Sequence, residues 1–200
     1  MKPKEGLLTY LAEGNNNPNS RYYSRKIHWP GNYAQCNTLS SGVTIGRGYD
    51  LKYLTEGEVI SDLVLCGIPF DKAKKIAKGV KKSHCLASEF IKENRDSIGE
   101  ITEIQQIRLF ERTYQIYVND SKRYYNKFKK TESVSWEELK KILKDVLVDM
   151  KYQGRLEANM IPIFGENDKL KIIALLRNRK TLLSDEQARR RIPYIEQEME

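Results

Sequence analysis

The sequence predicts an α+β protein in which a small amino-terminal lobe containing short strands, over about residues 1–54, precedes a larger, mainly helical lobe over about residues 55–200. Three observations carry this. Between Gly14 and Tyr49 the chain is crowded with Asn, Ser, Gly, Tyr and Pro, the composition of turns and brief strands. Beyond Asp50 a hydroxyl residue followed three positions later by Glu or Gln recurs at Thr55 with Glu58, Thr102 with Gln105, Ser135 with Glu138 and Ser184 with Gln187, the mark of a helix start. The stretches between these pairs carry apolar residues at helical spacing. With 200 residues, 40% of them apolar, the chain can bury a core, either as one domain or as two lobes sharing a cleft.

The elements follow in order. Leu7, Leu8, Tyr10 and Leu11 put apolar groups along one side of a short helix that ends at Glu13-Gly14. Arg21-Tyr22-Tyr23 and Gly42-Val43-Thr44-Ile45-Gly46 suit brief strands joined by turns. Ile104, Ile107, Leu109, Phe110, Tyr114 and Tyr117 form one helical stripe, and Trp136, Leu139, Ile142, Leu143, Val146 and Leu147 form another; both read first as core faces. Further helices are expected near Asp71 to Ala77, Cys85 to Glu93 and Asn167 to Arg177, with breaks at Gly67-Ile68-Pro69 and at Gly154.

Composition narrows the function classes. Lys and Arg exceed Asp and Glu by eight, which draws the chain to anionic polymers: nucleic acid, acidic membranes or bacterial wall. Cys36, Cys66 and Cys85 allow one disulfide at most and have no zinc-site spacing. The amino terminus lacks the unbroken apolar run of a signal peptide, and no stretch reads as a membrane span. His28 and His84 are the only histidines, which excludes a histidine-rich metal centre, and no metal or cofactor is expected. A cysteine peptidase would need one of them, and adjacency in His84-Cys85 does not itself aim one side chain at the other. Gly46-Arg47-Gly48 lacks the remaining residues of a phosphate-binding loop.

The basic runs Lys72 to Lys82 and Lys122 to Lys130, the second interleaved with Tyr124, Tyr125 and Phe128, resemble single-stranded nucleic-acid surfaces, but lysine is also the common residue of a solvated helix face. Arg189-Arg190-Arg191, expected within the last helix, suits either contact with an acidic substrate or solubility. Tyr22, Tyr23, Trp29 and Tyr33 suit either stacking on sugar rings or packing of the small lobe.

One absence is informative. From residue 14 to residue 49 there is no Asp or Glu, so Glu13 and Asp50 bracket an acid-free, aromatic segment. Glycoside hydrolysis needs one carboxylic acid to protonate the leaving oxygen and usually a second group to organise water or attack the sugar. Burial would hold such an acid protonated near neutral pH, whereas cations such as Arg21 or Arg25 would oppose that. Spacing alone is weak support. An isolated acid is most often a solvated surface group, and Gly42, Gly46 and Gly48 by themselves mark only a tight hairpin.

The segment Ser41-Gly42-Val43-Thr44-Ile45-Gly46-Arg47-Gly48-Tyr49-Asp50-Leu51, preceded by Leu11-Ala12-Glu13-Gly14, resembles the signature of the pesticin-like muramidases, toxin relatives of phage-type lysozymes. In phage lysozymes the second carboxylate lies between the Glu and the Thr. This chain has no acid there, and Asp50 instead follows Thr44 by six positions, as in the pesticin-like branch. The resemblance implies Glu13 as general acid, Asp50 as water-orienting base and Thr44 as the hydroxyl that holds the water. A second, weaker match over Val146 to Gly154 implies a helix lining the sugar cleft, with Gln153 and Tyr152 facing substrate.

The implied fold is a single lysozyme-like domain with the cleft between its lobes. The implied activity is cleavage of peptidoglycan between N-acetylmuramic acid and N-acetylglucosamine, in an endolysin, bacteriocin or secreted effector. Such a protein is expected to act on the bacterial wall as a monomer. Without a signal peptide it would be delivered by a secretion system, a holin or lysis, and as a toxin it could meet an immunity protein. The competing readings are a catalytically silent module of the same fold that binds glycan or a partner, and a basic nucleic-acid-binding protein.

Overall fold

A computed structural model describes residues 1–197, which form mainly helices with one small antiparallel hairpin near the amino terminus. The chain makes two compact units, Met1–Lys4 with Glu13–Thr113, and Glu5–Ala12 with the chain from Tyr114 onward. Helix α1 (Leu7–Ala12) belongs to the second unit. Of the segment expected to form a small lobe over 1–54, residues 1–4 and 13–54 fall in the first unit, which also takes in the chain up to Thr113, and residues 5–12 fall in the second.

In the first unit, β1 (Thr44–Ile45) pairs with β2 (Tyr49–Asp50) so that Thr44 faces Asp50 and Ile45 faces Tyr49. The chain reverses through Gly46 and Gly48, whose φ angles of 65° and 89° are disfavoured for a residue with a Cβ. A third extended segment runs along the other side of β1. His28 exchanges both backbone hydrogen bonds with Thr44, at 2.8 and 2.9 Å, and Gly46 N–H donates to Ser24 at 2.7 Å. Around this small sheet lie α2 (Glu56–Leu65), α3 (Phe70–Ala77), α4 (His84–Ile98) and the first part of α5 (Glu103–Phe128). Ile27, Trp29, Val43, Ile45, Leu51, Val59, Leu63 and Ile76 are fully buried at the centre. Cys36 and Cys85 form a disulfide that ties the segment after a short 3-10 turn (Tyr33–Gln35) to the first turn of α4; Cys66 stays a buried thiol.

The second unit holds α1, the rest of α5, α6 (Lys141–Gln153), α7 (Ile161–Gly165), α8 (Lys169–Asn178), α9 (Lys180–Arg189) and α10 (Arg191–Glu196). Leu143, Val146, Leu147, Phe164, Leu176 and Ile195 are fully buried in it. Asp149, on α6, is completely buried among polar partners. Arg189 Nη2 and Arg191 Nε donate to its two carboxylate oxygens, the latter at 2.6 Å, and Thr9 Oγ1 adds a bond of 2.8 Å. A carboxylate wedged between two guanidinium groups is the condition under which ions tolerate burial.

That network revises two expectations. Arg189, Arg190 and Arg191 do not lie within one helix: α9 ends at Arg189, Arg190 adopts φ 55°, and α10 begins at Arg191. Arg189 and Arg191 are 5% and 0% exposed, so neither serves solubility. On α1, Leu11 is 64% exposed while Thr9 is buried, because the helix turns a hydroxyl toward Asp149 where simple amphipathicity would put a leucine.

Candidate functional site

Thr44 and Asp50, facing each other across the hairpin, send their side chains from the same side of it. Both settle on the peptide groups of Gly42. Thr44, 4% exposed, donates from Oγ1 to the Gly42 carbonyl at 3.2 Å, and Asp50 Oδ2 accepts from the Gly42 N–H at 3.2 Å. Asp50 Oδ1 accepts from Lys52 N–H at 2.8 Å, yet the residue remains exposed. A Cβ on Gly42 would stand 2.2 Å from Asp50 Oδ1, so glycine is needed there for the carboxylate to fold back over the strand.

Glu13 follows α1 directly and is half-buried. The backbone beside it is held by a residue of the hairpin turn. Arg47, between the two turn glycines and 5% exposed, donates from Nη1 to the Gly14 carbonyl at 2.6 Å and from Nη2 to Asn16 Oδ1 at 3.2 Å. Gln106 Nε2 donates to the same Asn16 oxygen at 3.1 Å, and Ser24 binds the Asn15 carbonyl through both its N–H, at 3.1 Å, and its Oγ, at 2.8 Å. The Glu13–Asn16 segment and the Thr44–Asp50 hairpin are therefore joined through one buried guanidinium. Arg47 is the residue that sequence reasoning missed. Its signal was a cation set between the two turn glycines of an apolar hairpin, where a buried guanidinium needs acceptors for its N–H groups.

The far end of the hairpin is fastened as well. Tyr49 donates its phenol to Asp62 Oδ2 at 2.8 Å, and Arg112 Nε donates to Asp62 Oδ1 at 2.9 Å. Burial, with Asp62 beside it, pushes the Tyr49 phenol well above its usual range, so it stays a donor.

His28 lies in the same cross-strand row as Thr44 and Asp50 and is buried, its Nδ1 3.0 Å from the Lys26 carbonyl oxygen. Burial pushes its pKa down to about 4, with Arg95 and Arg47 pulling the same way against the Lys26 carbonyl. Because the folded value lies below the unfolded one of 6.5, the unfolded chain takes up the proton first as the pH falls. The stabilisation from keeping His28 neutral is complete above about pH 6.5 and is lost toward pH 4, amounting to about 3 kcal/mol. Urea unfolding of wild type and His28→Gln across that interval is expected to show a steeper acid loss in wild type. Equal slopes would remove His28 as its source.

Gln153 and Tyr152 end α6 in the second unit. Gln153 Oε1 accepts from Arg191 Nη2 at 2.6 Å, and the Tyr152 ring packs 4.4 Å from that of Tyr117. Among the four aromatic residues weighed for sugar stacking, Tyr23 and Trp29 are core, at 2% and 0% exposure. Tyr22 and Tyr33 are half-exposed, and the Arg21 guanidinium sits 4.6 and 5.4 Å from their rings. Among the described residues no three of His, Cys, Asp or Glu gather closely enough to hold a metal ion.

A sequence profile described as a domain of unknown function (DUF8812) matches residues 6–192. No curated protein matches the chain.

Proposed function

The chain belongs to this DUF8812 family, and we propose that it is a lysozyme-like muramidase that cleaves peptidoglycan between N-acetylmuramic acid and N-acetylglucosamine. What supports the reading is the Arg47 link: both halves of the motif that resembles pesticin-like muramidases, otherwise far apart in sequence, are tied together by a buried side chain belonging to the motif itself. In this proposal Glu13 protonates the leaving oxygen. Asp50 and Thr44, drawn to the same Gly42 peptide groups, hold water for attack on the other face of the sugar, and Gln153 and Tyr152 contact substrate. The Cys36–Cys85 disulfide fits action outside the reducing cytoplasm, where the bacterial wall lies.

A hydroxyl that positions water has no part in direct attack by a carboxylate, so the reaction is expected to invert the anomeric centre. Purified peptidoglycan incubated with the protein should lose turbidity and release muramic acid reducing ends, and proton NMR on a defined glycan should show the inverted anomer first. Glycan binding without reducing ends would mark a silent module. Net retention, or a sugar ester trapped on Asp50, would remove the water-holding role from Asp50 and Thr44.

A further inference from the structure

Helices α2 and α3 form a hairpin whose tip is unusual. The turn Cys66–Pro69 buries Cys66 and Ile68 and is held by Gln105 Nε2, which donates to the Gly67 carbonyl at 2.7 Å, yet the residues flanking it are open to solvent: Val64 is 43%, Leu65 65% and Phe70 57% exposed, and Pro69 is exposed as well. Immediately behind this apolar tip, α3 turns Ala73, Ile76 and Ala77 inward, all fully buried, and leaves Lys74, Lys75 and Lys78 outside. From Phe70 to Lys82 there are six lysines against a single acid, Asp71. Lys78 pairs with Glu56 at 2.9 Å, and the Lys74 ammonium stands 5.5 Å from the Phe70 ring, while no carboxylate of the described residues pairs with Lys74 or Lys75.

Lysines alone would be an ordinary solvated face, and one exposed leucine would mean nothing. The combination is different, because an exposed apolar tip followed by ammonium groups matches a surface that is apolar within and anionic at its boundary. We propose that the α2–α3 hairpin is a docking element for anionic phospholipid bilayers, with Val64, Leu65 and Phe70 entering the headgroup boundary and Lys74 and Lys75 engaging lipid phosphates. A soluble polyanion would satisfy the lysines and give the apolar tip no partner. The element is peripheral: no helix among the described residues is long and apolar enough to cross a membrane.

Co-sedimentation of the full chain with vesicles of equal parts phosphatidylglycerol and phosphatidylcholine, against phosphatidylcholine alone, tests this. Binding to the anionic vesicles is expected to fall roughly ten-fold in Lys74→Glu/Lys75→Glu and in Leu65→Ser/Phe70→Ser, all exposed positions whose replacement leaves the core intact. The double variant Lys127→Glu/Lys130→Glu carries the same net charge as the first and should bind nearly as wild type. No binding to anionic vesicles overturns the proposal. So does an equal fall in both charge variants, which would mean general attraction of a basic protein, or unchanged binding of the serine variant, which would mean a polyanion site. Vesicles contain no glycan, so the outcome is independent of the muramidase reading.

Discussion

Replacing Glu13 with Gln is expected to leave the fold in place and to reduce peptidoglycan turnover by about a thousand-fold or more, since proton donation and its coupled charge stabilisation are lost together. The residue is half-buried and follows a helix held by its own packing, so the neutral isostere should unfold at nearly the wild-type denaturant concentration. The measurement is the initial rate of turbidity loss, with circular dichroism on the same sample. Wild-type lysis by a folded Glu13→Gln protein would transfer the acid role elsewhere and end the proposed assignment.

A second large effect concerns stability. Asp149→Asn removes the charge shared by Arg189 and Arg191 while keeping the shape of the side chain. Breaking a buried ion network by removing one member typically costs about 3–5 kcal/mol, because the remaining charges stay desolvated. A loss of that size in the unfolding free energy from urea titration is expected, whereas Thr9→Val, which removes one neutral donor to the same carboxylate, should cost only about 1 kcal/mol. An Asp149→Asn midpoint equal to wild type would show that the two guanidinium groups do not depend on this carboxylate.

The parts of the fold that could be read from the chain are those decided by neighbours in sequence. Thr55 with Glu58 makes both hydrogen bonds of its capping box and starts α2, and Thr102 with Gln105 does the same before α5. Ser135 with Glu138 also makes both bonds, but they close a turn ahead of Lys141, where α6 begins, so Trp136 and Leu139 are buried without being helical. Ser184 with Gln187 lies inside α9, where the serine hydroxyl bonds back to the Thr181 carbonyl. The same four-residue pattern thus has three outcomes, chosen by tertiary packing. Ile104 belongs to the predicted stripe of α5 but is 39% exposed, at the first turn of that helix.

The candidate site divides along the same line. The glycines of the hairpin announce a reversal, and Asp50 facing Thr44 follows once the turn is placed. What could not be read is the reach of Arg47 back to Gly14, a contact spanning thirty-three positions and made to a carbonyl that any residue would present. Asp149 was hidden for a similar reason. Within Val146 to Gly154 it reads as one polar position on an amphipathic helix, and only the return of the chain at Arg189 and Arg191 makes it the centre of a buried network.

The Cys36–Cys85 bond acts on molecules that have not folded as well as on those that have. It closes a loop of 49 positions that contains the whole Thr44–Asp50 hairpin together with α2 and α3. An oxidised unfolded chain is denied most of its extended arrangements there, a restriction worth about 4 kcal/mol of folding free energy by chain-entropy reasoning. A reduced copy lacks that advantage, so the same polypeptide is a weaker folder in a reducing medium than in an oxidising one. Oxidation therefore works as a latch: once the bond has closed, each unfolding event returns a chain already confined near its native arrangement.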